Sequence, residues 1–95
     1  MRYDIITTTN ARLDIQDAID WEDKRNAGLG KRLFTELDQK INKLATSPYI
    51  GSVRYDNVRC IVTEVFSYLI HYLVDDVNKQ ILILRVLHTS RRPIW

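Results

Sequence analysis

The sequence has 95 residues, of which 45% are hydrophobic and 27% are charged, and it contains three Gly and two Pro. This length predicts one domain over residues 1–95, and the composition excludes a disordered or low-complexity chain. The longest apolar stretches are far shorter than the ~20 residues of a membrane span, and no signal-peptide pattern follows Met1. We therefore expect a cytoplasmic protein that makes no membrane contact. Cys60 is the single cysteine, which excludes an internal disulfide, and its apolar neighbours predict a buried thiol.

The net charge of +2 and the pI of about 8.8 permit contact with nucleic acid or with an acidic partner, but they require neither. The distribution of charge is more informative. From Arg85 onward the chain carries Arg85, His88, Arg91 and Arg92 and no acidic residue. This part of the chain therefore predicts a local basic patch on a nearly neutral protein.

The first half of the chain predicts one short strand and then two helices. Tyr3 to Thr8 is β-branched, as strands are, and Thr9 or Asn10 is expected to cap a helix that begins near Ala11. Ala27–Gly28 interrupts the helical pattern, and Ser47–Pro48 ends the second helix. Two amphipathic helices with so short a connection predict an antiparallel hairpin.

The spacing of apolar residues predicts which helical faces are buried. In the first helix, the inner face comprises Ala11, Ile15, Ala18, Ile19 and Glu22, while Asp14, Gln16, Asp17 and Asp20 are expected elsewhere. In the second helix, the inner face comprises Leu33, Phe34, Leu37, Ile41 and Leu44. Both faces have to pack against another part of the protein.

The second half of the chain predicts strands over Val58–Val65, Tyr68–Val74 and Gln80–His88, because these stretches are rich in Val, Ile, Leu and Tyr. Their short connections predict a three-stranded antiparallel meander. The resulting fold class is α+β, with the helical hairpin on one sheet face. The N-terminal strand is expected to pair with an exposed strand of the meander.

Alternation along the last two strands separates their side chains into two faces. In the last strand, Leu82, Leu84, Val86 and His88 are expected on one face, and Ile81, Ile83, Arg85 and Leu87 on the other. In the preceding strand, Tyr68, Ile70, Tyr72 and Val74 oppose Leu69, His71 and Leu73. Both faces are mostly apolar. Either a partner peptide or helix covers the face that the hairpin leaves open, or the sheet is more apolar than its exposure requires.

His88, followed closely by Arg91 and Arg92, is the strongest candidate for a chemical site. An imidazole that titrates near neutrality beside guanidinium groups suits acid–base chemistry or phosphate binding. The alternative is a histidine that caps the strand through a backbone hydrogen bond. His71 lies in mid-strand on an apolar face, where a structural role is favoured.

The remaining patterns are less specific. Arg54 and Arg59, together with the C-terminal arginines, form either a phosphate-tracking strip or a scattered solvated edge. Trp95 is either a hydrophobic contact with the body of the protein or an exposed anchor for a partner. No grouping of Cys, His and Asp has metal-ligand spacing, and Gly28-x-Gly30 lacks the strand and third glycine of a nucleotide fingerprint. We therefore expect neither a metal nor a cofactor.

The ordered set of residues from Arg59 to Tyr72 and from Ile81 to Pro93 resembles the ParE branch of the RelE/ParE toxin superfamily of type II toxin–antitoxin systems. The Arg85-Val-Leu-His88 box after a β-hairpin is the most specific part, and the resemblance extends over nearly the whole chain. It implies the fold derived above. It also implies a cognate antitoxin whose disordered tail folds over the toxin, in a dimer or a toxin–antitoxin hetero-oligomer.

The resemblance implies one of two activities. RelE-like members resemble ribosome-dependent mRNA endonucleases, for which His88, Arg85 and Arg91 are the candidate catalytic residues acting on mRNA at the ribosome. ParE-like members resemble non-enzymatic inhibitors of DNA gyrase from plasmid-stabilisation systems. The chain has no Lys between Val53 and Val74, and Tyr68 stands where a nuclease is expected to carry Arg. These departures favour gyrase binding.

For gyrase binding, the resemblance implies a set of target-binding residues with different roles. Arg91 and Arg92 are expected to contact the target, with His88 positioning them. Arg85 and Arg59 are expected to supply supporting charge, and Tyr68 and Trp95 to contact a partner.

Overall fold

The computed structural model describes residues 2–90, so Arg91, Arg92 and Trp95 lie outside the described residues. Its elements in chain order are β1 (Asp4–Thr7), α1 (Thr9–Arg25), α2 (Leu29–Leu44), β2 (Ser52–Tyr55), β3 (Val58–Val62), β4 (Tyr68–Asp75) and β5 (Gln80–His88). The strands form one sheet in the order β1-β5-β4-β3-β2. β1 runs parallel to β5, and the other neighbouring strands are antiparallel. The predicted α+β class and the pairing of the N-terminal strand with the meander are confirmed.

Both helices pack on the same face of the sheet. Their inner residues and those of the strands form one core: Tyr3, Ala11, Ala18, Leu33, Leu37, Leu44, Tyr68, Ile70, Tyr72, Ile81, Ile83 and Val86. Phe34 departs from the prediction, since it is 50% exposed instead of facing the core. Among residues 2–90, no helix combines the length and the apolar character that crossing a membrane requires.

The start of α1 differs from the prediction because Thr8, which directly follows β1, is the N-cap. Its Oγ1 accepts a hydrogen bond from the Ala11 backbone N–H at 3.2 Å and donates one to the Ile83 carbonyl at 2.8 Å. The prediction of Thr9 or Asn10 as the cap was wrong, because one side chain both ends the strand and starts the helix. The cap thus fixes α1 to β5.

Two glycines allow α1 and α2 to pack as a hairpin. Gly28 adopts a left-handed conformation with φ of 94°, which an L residue with a Cβ rarely accepts. Gly30 lies so close to α1 that a Cβ there would come within 2.7 Å of the Ile19 carbonyl oxygen. The Gly30 N–H donates to the Asp23 carboxylate at 2.8 Å, which joins the start of α2 to the end of α1.

The meander has four strands, because β2 precedes the three that the sequence predicts. β2 and β3 are joined by Asp56 and Asn57, which have φ values of 43° and 65°. Two consecutive residues with positive φ make the tight turn that matches the twist of a β-hairpin. β2 is short and largely exposed, so no run of apolar residues marks it. β3 also ends at Val62 instead of Val65.

A β-bulge in β5 changes which side chains share a face. His71 pairs with Arg85 while Tyr72 pairs with Ile83, so Leu84 is an extra residue in the ladder. Beyond the bulge, Val86 joins Ile81 and Ile83 in the helix-side core. The predicted alternation, which put Arg85 on the face of Ile81 and Ile83, was therefore wrong. With the bulge in place, His88 on β5 lies opposite Tyr68 on β4.

Replacing Thr8 with Ala tests the joint role of this cap. The change removes the acceptor for the Ala11 N–H and a donor to β5, and we expect the free energy of unfolding to fall by about 1–2 kcal/mol. Urea denaturation followed by circular dichroism measures the difference. Thr35→Ala is the matched control, because that exposed hydroxyl bonds only within α2, to the Lys31 carbonyl. Equal stability of the two variants would exclude the cap as a significant contribution.

Candidate functional site

His88 and Tyr68 meet where β5 ends and β4 begins. Their rings are perpendicular, with centroids 5.1 Å apart. The His88 Nδ1 accepts a hydrogen bond from the Ser90 backbone N–H at 3.2 Å, and the Ser90 Oγ lies 2.9 Å from the same nitrogen. Because a backbone N–H can only donate, Nδ1 carries no proton in this arrangement. This geometry matches the backbone-capping alternative for His88.

A pocket of about 260 Å³ opens beside His88, between α1 and the end of β5, and we call it the α1–β5 pocket. Its lining comprises Asp14, Asp17, Ala18, Trp21, Tyr68, Val86, Leu87 and His88. The hydroxyl of the lining residue Tyr68 donates to Glu22 at 3.1 Å, and Glu22 is only 1% exposed. The other carboxylate oxygen of Glu22 forms an ion pair with the Arg25 Nη1 at 2.9 Å. The pocket therefore combines aromatic walls with carboxylates.

Arg85 is bound by Asp14 through two parallel hydrogen bonds. The Arg85 Nε donates to Asp14 Oδ2 at 2.7 Å, and Nη2 donates to Oδ1 at 3.1 Å. The Val86 backbone N–H also donates to Oδ2, at 3.0 Å. The pKa of Arg85 is raised above its usual value, mainly because the guanidinium donates hydrogen bonds to the Asp14 carboxylate. The guanidinium is thus neutralised inside the protein.

Asp14 is the residue that sequence reasoning missed, since helical periodicity put it away from the inner face. β1 ends at Thr7, so beyond Ile83 the side of β5 that faces away from β4 has no neighbouring strand. An N–H group in that position needs another acceptor, and α1 supplies the Asp14 carboxylate. The signal available in the sequence was the difference in length between β1 and β5.

The predicted site residues separate into two groups. Tyr68, Arg85 and His88 lie around the end of β5, as described above. Arg59 lies elsewhere: its Nη1 donates to the Gly51 carbonyl at 2.8 Å and its guanidinium stands 5.0 Å from the Tyr49 ring centre. Arg59 pairs with Tyr72 on β4, whereas His88 pairs with Tyr68, four residues away along that strand. Arg59 and His88 are therefore about 13 Å apart along the strand direction and about 10 Å apart across the sheet, which is two strand spacings.

Arg54 lies on β2 at the far side of the sheet from β5, so the described residues do not join Arg54, Arg59 and the end of β5 into one strip. Arg91, Arg92 and Trp95 lie outside the described residues, and their predicted roles remain predictions. Within residues 2–90, Asp14 and Arg85 neutralise each other, Glu22 is paired with Arg25, and Asp17 is the carboxylate of the pocket lining that has no ion pair.

The sheet face opposite the helices holds a second histidine. His71 is fully buried, with its Nδ1 3.0 Å from the Tyr55 hydroxyl and 3.4 Å from the Cys60 sulfur. Burial lowers the pKa of His71, and Arg85 and Arg54 lower it further, while Asp14 acts in the opposite direction. Burial also raises the pKa of the Cys60 thiol. A neutral imidazole and a protonated thiol in this position fit structural roles, and the predicted burial of Cys60 is confirmed.

Comparison with known proteins agrees with this architecture. The family model described as the ParE toxin of the type II toxin–antitoxin system parDE matches residues 5–93. A chain of the RelBE2 toxin–antitoxin complex from Mycobacterium tuberculosis is 22% identical, with a TM-score of 0.69, over 93% of this chain and 99% of that one. A chain of the chromosomal ParDE system from P. aeruginosa is 16% identical, with a TM-score of 0.82, over 94% and 98%. No curated protein matches the sequence.

A helical hairpin on one face of this five-stranded sheet is the RelE/ParE-like toxin fold, as the resemblance implied. The chain belongs to the ParE toxin family of type II toxin–antitoxin systems.

The pair of Asp14 and Arg85 predicts a loss of stability when one partner is removed. Asp14→Asn leaves the Arg85 charge partly buried and weakens the bond to the Val86 N–H, so we expect the free energy of unfolding to fall by about 2 kcal/mol. Asp20→Asn is the control, because that carboxylate lies on the same helix and bonds only to Gln16 in the described structure. Urea denaturation in which both variants unfold at the same midpoint would contradict the prediction.

The lowered pKa of His71 predicts that acid destabilises the protein. The unfolded histidine binds a proton near pH 6.5, whereas the folded one binds it at lower pH, so stability decreases as pH falls below about 6.5. We expect His71→Gln to flatten the pH dependence between pH 7 and pH 5. Denaturation curves at several pH values measure it, with His88→Gln as the control. A drop that persists in the His71 variant would assign the effect to another group.

Proposed function

We propose that this toxin, acting as one domain over residues 1–95, inhibits growth in the cytoplasm by binding DNA gyrase. A cognate antitoxin neutralises it, as expected for a plasmid-stabilisation system. The family match supports the toxin class. The choice of gyrase instead of mRNA rests on the charge of the α1–β5 pocket.

Cleavage of mRNA requires cations that stabilise the negative charge developing on the phosphate, together with a general base and a general acid. The pocket lining beside His88 contains no Lys or Arg among the described residues. Arg85 is neutralised by Asp14, and Glu22 is paired with Arg25, so Asp17 is the lining carboxylate without an ion pair in residues 2–90. A phosphate that enters this pocket meets no unpaired Lys or Arg of the described residues, so the surface is better suited to contact with a protein.

In this proposal His88 positions the chain that follows it and does not transfer a proton. Its Nδ1 is engaged by Ser90, and its ring is held edge-to-face against Tyr68. Arg91 and Arg92 then contact gyrase. Arg85 acts through its bond with Asp14, and Trp95 is a partner contact. No cofactor takes part.

The open face of the sheet supports the proposal of an antitoxin partner. The residues that share this face with His71 are mostly apolar: Val62, Leu69, Leu73, Leu82 and Leu87. Both helices lie on the other face, so a segment of the antitoxin that covers these residues removes apolar surface from water and gains affinity. The result is a toxin–antitoxin hetero-oligomer.

Inducible expression with separate measurements of DNA and protein synthesis tests the target. We expect DNA synthesis to stop within minutes while mRNA stays intact, because the toxin acts on gyrase. We also expect the triple change His88→Ala, Arg91→Ala and Arg92→Ala to abolish growth inhibition. Circular dichroism of the purified variant verifies that it folds.

Lys31→Ala with Lys43→Ala is the matched control, because it removes two exposed positive charges from α2 instead. This control should inhibit growth as the parent does. Early arrest of translation with cleaved mRNA would overturn gyrase as the target and make His88, Arg85 and Arg91 catalytic residues of a ribosome-dependent endonuclease. Full growth inhibition by a folded triple variant would remove these residues from the site.

A further inference from the structure

β1 is an edge strand, and one of its sides faces no other strand within residues 2–90. Only β5 pairs with β1. The backbone N–H groups of Asp4 and Thr8 donate to carbonyls on the β5 side, so those of Ile5 and Thr7 point to the free side. A free edge of this kind can accept a further strand.

An apolar groove of about 580 Å³ lies beside β1, and we call it the β1 groove. Its lining includes Ile5 and Ile6 from β1, Ile15 and Ile19 from α1, and Phe34 from α2. Ile6 is 42% exposed and Phe34 is 50% exposed. A partner that pairs with β1 therefore also removes apolar side chains from water.

The two ends of β1 carry opposite charges. Asp4 is the first residue of β1, whereas Arg12 lies beyond the other end, where its backbone N–H donates to the Thr8 carbonyl at 3.0 Å. Both side chains are exposed, and neither forms an ion pair within residues 2–90. The first turn of α1 contains no acidic residue, so no carboxylate of that turn balances the positive end of the helix dipole.

These features complement each other when two copies of the chain pair antiparallel along β1. With a two-fold axis at Ile6, Ile5 of each copy exchanges backbone hydrogen bonds with Thr7 of the other copy. The two Ile6 side chains then meet on the axis, where the side chains of a cross-strand pair lie close together. The pairing therefore covers the exposed apolar side chain of β1.

The same register brings the opposite charges together. Asp4 of one copy lies opposite Thr8 of the other copy, whose backbone is still extended. The Asp4 carboxylate thus comes next to the start of α1 and to the Arg12 side chain of that copy. Parallel pairing would place Asp4 beside Asp4 instead, and like charges opposite each other destabilise a sheet. The charges therefore favour the antiparallel arrangement.

We propose that this chain forms a symmetric dimer in which the free sides of two β1 strands pair antiparallel, with Asp4 of each copy bound to Arg12 of the other. The occupant is a second copy, because β1 itself carries the acidic residue that complements Arg12. The α1–β5 pocket shares no lining residue with the β1 groove. The dimer thus goes beyond the proposed function and does not depend on the target of the toxin.

Association is expected to be reversible. β1 has four residues, and so short a strand pair buries less surface than the interface of a permanent dimer. We therefore expect a dissociation constant in the micromolar range, so that the toxin is monomeric when dilute and dimeric when concentrated. Each charge contact occurs twice in a symmetric dimer, which makes the dimer sensitive to single substitutions.

Sedimentation velocity of the full chain, made by cell-free synthesis without antitoxin, measures the association. We expect the mass to rise from that of one chain, 11.2 kDa, toward twice that value as the concentration passes through the micromolar range. Asp4→Arg and Arg12→Asp should each raise the dissociation constant by about tenfold or more, because they place like charges opposite each other. The two changes together should restore most of the affinity.

Lys31→Asp is the matched control, because it reverses an exposed charge on α2 outside the lining of the β1 groove. It should leave the dissociation constant unchanged. Hydrogen exchange then identifies the surface. The amide protons of Ile5 and Thr7 should exchange more slowly when the protein is concentrated than when it is dilute. Those of β2, at the other edge of the sheet, should not depend on concentration.

Three results would each overturn the proposal. The first is the mass of a single chain at every concentration. The second is exchange at Ile5 and Thr7 that does not depend on concentration, which would assign any dimer to another surface. The third is a double variant that associates as weakly as the two single variants, which would exclude the contact between Asp4 and Arg12.

Binding of the antitoxin distinguishes the other occupant of the β1 groove. If the parent toxin is monomeric and Arg12→Asp weakens binding of the antitoxin, the groove takes an acidic segment of that partner, and the dimer is excluded. Circular dichroism verifies that each variant folds. Because the sedimentation and exchange experiments contain neither gyrase nor antitoxin, their failure and a failure of the proposed function are distinguishable.

Discussion

The carboxylate of Asp14 connects the parts of this structure. It accepts two bonds from Arg85 and one from the Val86 backbone at the point where β5 extends beyond its short neighbour β1. Where a strand extends beyond its neighbour, its backbone N–H and C=O groups lose their partners in the sheet. These groups then need a hydrogen bond from water or from a side chain. By satisfying that edge from α1, Asp14 fixes the helical hairpin to the sheet and neutralises Arg85, which precedes His88 on β5.

This single contact also explains why the described surroundings of His88 offer no unpaired arginine to a nucleic acid. The mildly basic composition invites the expectation of exposed cations, but two of the arginines predicted for the site are bound within the fold. Arg85 is held by Asp14, and Arg59 by the Gly51 carbonyl. The rest of the pocket lining beside His88 comprises aromatic and apolar side chains and the carboxylate of Asp17. Charge counted along a sequence thus differs from charge presented at a surface.

The sequence predicted the elements whose pattern is long and periodic, such as the inner face of α2 apart from Phe34, and the hairpin of β4 and β5. It did not predict β2, because four mostly exposed residues carry no periodic signal, although Asp56 and Asn57 are typical turn residues. It also missed the bulge at Leu84, and a one-residue insertion reverses every later side chain. Among the residues predicted for the site, His88 and Tyr68 are neighbours in the structure, whereas Arg59 lies apart from them. The strand register determines which residues are neighbours, and the sequence did not give that register.

The parallel pairing of β1 with β5 has a consequence for synthesis of the protein. Thr8 and its partner Leu84 are 76 positions apart, and Tyr3 bonds to Asp76 over a separation of 73. Contacts this distant in the chain form late, because a long loop has to close before they contribute. A growing chain that has not yet made β5 has no partner for β1 and cannot close its core. A product that ends before Gln80 therefore lacks the strand that pairs with β1, and the ribosome has to complete the last strand before this fold can form.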